Sequence, residues 1–110
     1  MKQKPFFIYI DDIRPCPDVA YPSITCRDYQ SAVDTICTLI SNGESLMISF
    51  DHDLGTEKTG YDIAKYIVEN QLPQDRIYWR VHSSNPVGGL NIRQLLSHYG
   101  YPRMAEWSWN

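Results

Sequence analysis

The sequence has no long hydrophobic run, no surplus of positive charge and no paired-cysteine spacing. Its longest apolar stretches, such as Phe6–Ile10, are about five residues, whereas a bilayer span needs roughly 20. No partnership with a membrane is expected. Ten Lys+Arg stand against 13 Asp+Glu, a net charge of −3, which excludes bulk electrostatic binding to nucleic acid. An anionic ligand would therefore need local arginines, backbone N–H groups or a metal. Three cysteines, Cys16, Cys26 and Cys37, are odd in number and lack a C-x-x-C pattern, which argues against a disulfide framework and against a zinc finger. The opening Met1-Lys2-Gln3-Lys4 runs straight into a strand-like segment without a signal peptide's long apolar core. A reducing cytoplasm is the expected location. Internal repeats and low-complexity segments are missing too.

What is present suits one compact domain over residues 1–110. Hydrophobic residues make up 43% of the chain and aromatics 13%, enough apolar surface to offset the entropy of ordering. Phe6–Ile10 is a nearly continuous apolar run closed by Asp11-Asp12, the pattern of a strand buried on both faces of a parallel sheet. Residues 13–22 carry Pro15, Pro17 and Pro22 and read as an irregular loop. Ser23–Cys26 is a short second strand. From Asp28, apolar residues at Tyr29, Ala32, Val33, Ile36, Cys37 and Ile40 recur at helical spacing, and Asn42-Gly43 supplies a stop.

Leu46–Phe50 reads as a third strand, and Thr59-Gly60-Tyr61-Asp62 as a capped helix start with Ile63, Ala64, Ile67 and Val68 on one face. Pro73 closes that segment. Residues 76–81 form a fourth strand and residues 90–99 a final helix, with Gly88-Gly89 placed ahead of it, where a phosphate could approach its N-terminus. The tail, 104–109, is read as an edge strand or an aromatic flap. Strands alternating with helices indicate an α/β layered fold with a mainly parallel sheet, whose ligands sit outside the strand carboxyl ends.

Three polar segments begin where strands stop: Ile10-Asp11-Asp12-Ile13-Arg14, Phe50-Asp51-His52-Asp53-Leu54-Gly55 and Val81-His82-Ser83-Ser84-Asn85-Pro86-Val87-Gly88. Neighbouring strands would gather four carboxylates and two imidazoles around one crevice. Crowded carboxylates need an arginine or a divalent cation, and oxygen-rich clusters suit Mg²⁺ or Mn²⁺. Asp11, Asp12, Asp51 and Asp53 are the candidate ligands. The turn after His82 offers the Ser83 hydroxyl and the Asn85 amide to a phosphate, and Arg14 would offset phosphoryl charge. Two imidazoles, His52 and His82, could divide the work of general base and general acid, the logic of opening a cyclic phosphodiester. His98, on the last helix without comparable neighbours, is read as a surface or packing residue.

The segments Asp11-Asp12-x-Arg14-x-x-Pro17, Phe50-Asp51-His52-Asp53-Leu54-Gly55 with Thr59-Gly60-Tyr61-Asp62, and His82-Ser83-x-Asn85-Pro86-x-Gly88 with Asn91 resemble the cyclic-phosphate processing receiver-like family over residues 6–95. The resemblance implies a receiver-like (flavodoxin-like) α/β fold with four to five strands, and a role on cyclic phosphates at RNA ends or in cyclic nucleotides. Between Ile10 and Ser23 there is too little chain for a receiver's usual first helix, so a loop is expected there. The expected assignment is His52, His82 and Asp51 as catalytic residues, with Arg14, Ser83, Asn85 and Asn91 binding substrate. Rival readings are a noncatalytic nucleotide- or signal-binding module, and a pseudo-receiver that docks proteins through Trp107 and Trp109.

Overall fold

The computed structural model describes residues 4–104. Four strands, β1 (Phe6–Ile10), β2 (Ser23–Cys26), β3 (Leu46–Phe50) and β4 (Ile77–Val81), form one all-parallel sheet in the order β2-β1-β3-β4. Three helices, α1 (Tyr29–Ser41), α2 (Gly60–Glu69) and α3 (Pro86–His98), connect or follow them. This is the receiver-like, flavodoxin-like arrangement. Residues 11–22 contain no helix, as the three prolines require. Among the described residues, no helix is long and apolar enough to cross a membrane.

Local chemistry sets most element ends. Asp28 caps α1 by accepting the Ser31 N–H at 2.8 Å, and Thr59 with Asp62 forms a capping box at α2. The start of α3 differs from the sequence reading, which began the helix at Leu90. Asn85 is its N-cap, accepting the Gly88 N–H at 2.9 Å, and Pro86 sits in the first turn, where a missing donor costs nothing. Gly88 and Gly89 are thus inside the helix, so the pair is no phosphate-admitting loop ahead of it. Strand β4 begins at Ile77 rather than Arg76. Arg76 belongs to the preceding turn, where its guanidinium donates to the carbonyls of Ile40 and Glu44.

The alternation of side chains splits the core in two. One sheet face presents Ile8, Ile10, Ile48, Phe50 and Trp79 to Ala32, Ile36, Ile63, Ile67, Ile92 and Leu96, so all three helices pack on that side. The other face carries Phe7, Tyr9 and Met47, covered by Met104 and by Cys16, Val19 and Tyr21 of the proline-rich loop. Among the described residues, the tail adds one parallel bridge to the sheet edge, Trp79 to Arg103. The remainder of the tail expected as strand or flap, with Trp107 and Trp109, lies outside the described residues.

Candidate functional site

The chain leaves β1 toward β2 on one side, while β3 lies on the other. That order opens a crevice at the carboxyl ends of β1 and β3, where ligands bind in open parallel sheets. Asp11 follows β1, Asp51 follows β3 and His82 follows β4. Two ladder bonds extend past the strands and fix their relative height: the Asp51 N–H donates to the Ile10 carbonyl and the His82 N–H to the Phe50 carbonyl, both at 2.9 Å. One ligand atom from each of Asp11, Asp51 and His82 lies within 4.8 Å of the other two.

Asp11 is fully buried and heavily bonded. Its Oδ1 accepts the backbone N–H groups of Ile13 and Arg14 at 3.0 and 2.8 Å, and its Oδ2 lies 3.0 Å from His82 Nε2. Burial pushes its pKa up, but the N–H donors of Arg14 and Ile13 and the nearby His82 outweigh this and hold it below the ordinary value. An ionised carboxylate only accepts, so His82 carries its proton on Nε2. Its Nδ1 then accepts from the Ser49 hydroxyl at 2.6 Å. Burial also lowers the His82 pKa against the opposing pull of Asp11 and Asp51, with Arg80 adding to the lowering, so the ring stays neutral. Tyr9 stacks on it, 4.5 Å between centroids and 10° between planes.

Asp51 behaves in the opposite way. Burial and then the charge of Asp11 raise its pKa, beyond the lowering by His82, the His52 N–H and Ser83. Two carboxyl groups side by side are thus driven apart, one kept ionised and the other inclined to keep a proton.

His52 belongs to a second cluster. Its Nδ1 lies 3.0 Å from Asp53 Oδ1, and Asn85 donates its side-chain amide to Asp53 Oδ2 at 3.2 Å. Hydrogen bonds from His52 and Asn85 lower the Asp53 pKa, so Asp53 is an ionised acceptor beside His52 Nδ1. The His52 ring lies against Gly88, where a Cβ would overlap its Cγ, and Gly60 meets the Asp51 carbonyl just as closely. These glycines are steric requirements. The three segments therefore converge as expected, but the rings meet different neighbours: His82 turns to Tyr9 and Ser49, and His52 to α3.

The remaining candidates separate in the same way. Arg14, with 46% of its side chain exposed, donates to the His82 carbonyl at 3.3 Å and lies near Ser84 Oγ. Ser83 accepts the Asn85 N–H at 3.0 Å, while Asn85 both caps α3 and restrains Asp53. Asp12 lies beside Gly55, outside the Asp11–Asp51–His82 group, as does the exposed Asp53. Asn91 lines a groove between α2 and α3 with Tyr61, Gln94, Leu95 and His98, which none of Asp11, Asp51 and His82 lines. Sequence reasoning missed Tyr9, Arg27 and Ser49. Arg27 braces the β1 loop by donating to the carbonyls of Asp11 and Arg14 at 3.1 and 2.7 Å. Ser49 left one signal, a hydroxyl residue inside a strand whose five residues are otherwise apolar.

The donor set fits a divalent cation: two carboxylates and an imidazole converge, and Asp51 has lost most of its water beside a second carboxylate. Asp11 and Asp51 would hold such an ion, with His82 within reach. With this geometry in place, comparison with family models gives a match to the cyclic-phosphate processing Receiver domain over residues 6–98. The chain belongs to that family. Comparison with curated proteins and with solved structures finds no match. In this receiver domain, the acidic residues after β1 and β3 keep a receiver's placement, and His82 brings an imidazole against them from β4.

Proposed function

We propose that this receiver domain is a phosphoesterase that opens a cyclic phosphate, in a cyclic nucleotide or at an RNA end. The observation that carries the reading is the buried Asp11–His82 pair set against Asp51, whose pKa is shifted oppositely, at the sheet's ligand-binding edge. His52, at the outer cluster with its Nδ1 against Asp53, takes a proton from the attacking water through Nε2. The new P–O bond forms as the ring P–O bond breaks. The leaving oxygen receives the proton that Asp51 keeps, while the His82 Nε2–H holds Asp11 beside it, and the water's proton remains on His52 until Asp51 is recharged. Arg14 reaches over the mouth of the crevice and offsets phosphoryl charge. A divalent cation held by Asp11 and Asp51 would take the place of the Asp51 proton when bound and supply the charge neutralisation itself. The charge of −3 gives no general attraction for the anion, so these local groups carry recognition.

Incubating the full chain with 2′,3′-cyclic nucleotides and cyclic-phosphate RNA, with and without Mg²⁺ or Mn²⁺, tests the proposal. A monoester product that disappears in His82→Asn is expected. Absence of any His82-dependent product on all substrates would refute it. The noncatalytic binding reading draws on the low exposure of His82, 8% of its side chain. Tight binding with the nucleotide recovered intact would favour that reading.

A further inference from the structure

We propose that Ser49 is a positioning residue for the reaction, fixing the ring of His82 so that Nε2, and not the Cε1 carbon, faces the carboxylates. The inference rests on the proposed function's use of His82.

An imidazole rotated by half a turn about its Cβ–Cγ bond has almost the same shape, so packing alone does not choose between the two orientations. Here the choice falls to hydrogen bonding. Ser49 Oγ lies 2.6 Å from Nδ1 and Asp11 Oδ2 lies 3.0 Å from Nε2, so the ring is tied at both nitrogens. Asp11 meets Nε2 with a carboxylate oxygen, an acceptor, which places the ring proton on the nitrogen that faces it. Ser49 supplies the complementary donor, and only the observed orientation and tautomer satisfy both partners at once. Tyr9, stacked at 10° to the ring, fixes its plane but is indifferent to which nitrogen points where.

Exposure decides against a rival role for Ser49. Ser49, His82 and Asp11 stand in the order of a nucleophile, base and carboxylate. Ser49 is only 1% exposed, with Tyr9 beside it in register on β1, so no phosphorus atom can reach its oxygen. A hydroxyl that contacts no substrate acts through the ring it holds. Its place inside β3, between Ile48 and Phe50, gives it the rigidity for that task.

The test compares Ser49→Ala and Ser49→Thr with the unaltered chain on a 2′,3′-cyclic nucleotide, alongside ¹⁵N NMR of the histidine rings without substrate. The His82 signal is assigned by its loss in His82→Asn. We expect the unaltered chain to show a single tautomer protonated at Nε2. Ser49→Ala should show a mixture of ring states and a kcat lower by roughly 10²-fold, with KM within about twofold. Ser49→Thr should restore both. A Ser49→Ala chain with one Nε2-protonated tautomer overturns the inference, as does one with unchanged kcat. Failure of the unaltered chain to turn over any cyclic phosphate refutes the functional reading instead, and the NMR comparison still decides the role of Ser49 in holding the ring.

Discussion

On one face of the sheet, Ile8, Ile10, Ile48 and Phe50 are fully buried and Trp79 is 1% exposed beneath three helices. On the opposite face, Phe7, Tyr9 and Met47 are covered by a loop of irregular chain and by Met104, and Tyr78 remains 40% exposed. The helix-covered face consists of side chains whose removal from water is the main source of stability. The loop-covered face admits polar groups among apolar ones: Ser49 pairs with Tyr9 across the ladder, and Asp11, Asp51 and His82 continue that side at the strand ends. Among the described residues, every buried side-chain polar atom has a partner, so this polarity is held in a closed network rather than left as unpaired cost. Stability is concentrated on one side and the buried Asp11–Asp51–His82 group on the other.

The largest test of that division is Trp79→Ala. It removes the largest fully buried side chain of the helix-covered face and the Nε1–H donor to the Tyr101 carbonyl. We expect a loss of about 3–5 kcal/mol, read as a fall in the urea midpoint. A loss under about 1 kcal/mol would show that this face is not the main source of stability. His82→Asn should do the reverse, abolishing turnover while shifting the thermal midpoint by only a few degrees. Collapse of the fold in that variant would join the two faces into one unit.

Asp51→Asn sharpens the comparison through pH. A carboxyl whose folded pKa is raised binds more protons folded than unfolded, so its ionisation costs stability as pH rises through the folded pKa. The variant lacks that cost. It should be more stable than the unaltered chain at neutral pH, with the advantage vanishing below the ordinary carboxylate range, where both states are protonated. Equal stability at every pH would remove Asp51 from the buried trio. The smallest effect is expected for Asn85→Ala. Loss of the α3 cap costs about 1 kcal/mol, and release of Asp53 should lower turnover with no change in the His82 NMR signal. A changed His82 signal would show that the two imidazole clusters are not independent.

Much of this was legible in the residues. The four apolar runs sit in the sheet within a residue of where alternation and carboxylate stops place them, because a strand buried in a parallel sheet has little freedom in composition. Apolar periodicity located α1, and capping chemistry located α2. The same chemistry misplaced α3, where Asn85-Pro86 was read as a turn. A proline in a first helical turn and a proline in a loop look alike without the Gly88 N–H that Asn85 accepts. Of the site residues, the strand-end acids and His82 were evident as polar groups after apolar ones. Tyr9 and Ser49 were not, because a residue within a strand reads as core until a neighbouring strand supplies its partner.

The sequence by itself determined which segments are strands and helices, and that acidic and imidazole groups crown the strands, since these follow from periodicity and local bonding. Only the tertiary structure decided that all three helices share one face, that His82 and His52 take separate carboxylates, and that Asp11 and Asp51 titrate in opposite directions. Those outcomes depend on which strand lies beside which. Burial, Coulombic repulsion and hydrogen bonding across a crevice are properties of distances between residues some 30 to 70 positions apart in the chain, and no local pattern encodes them.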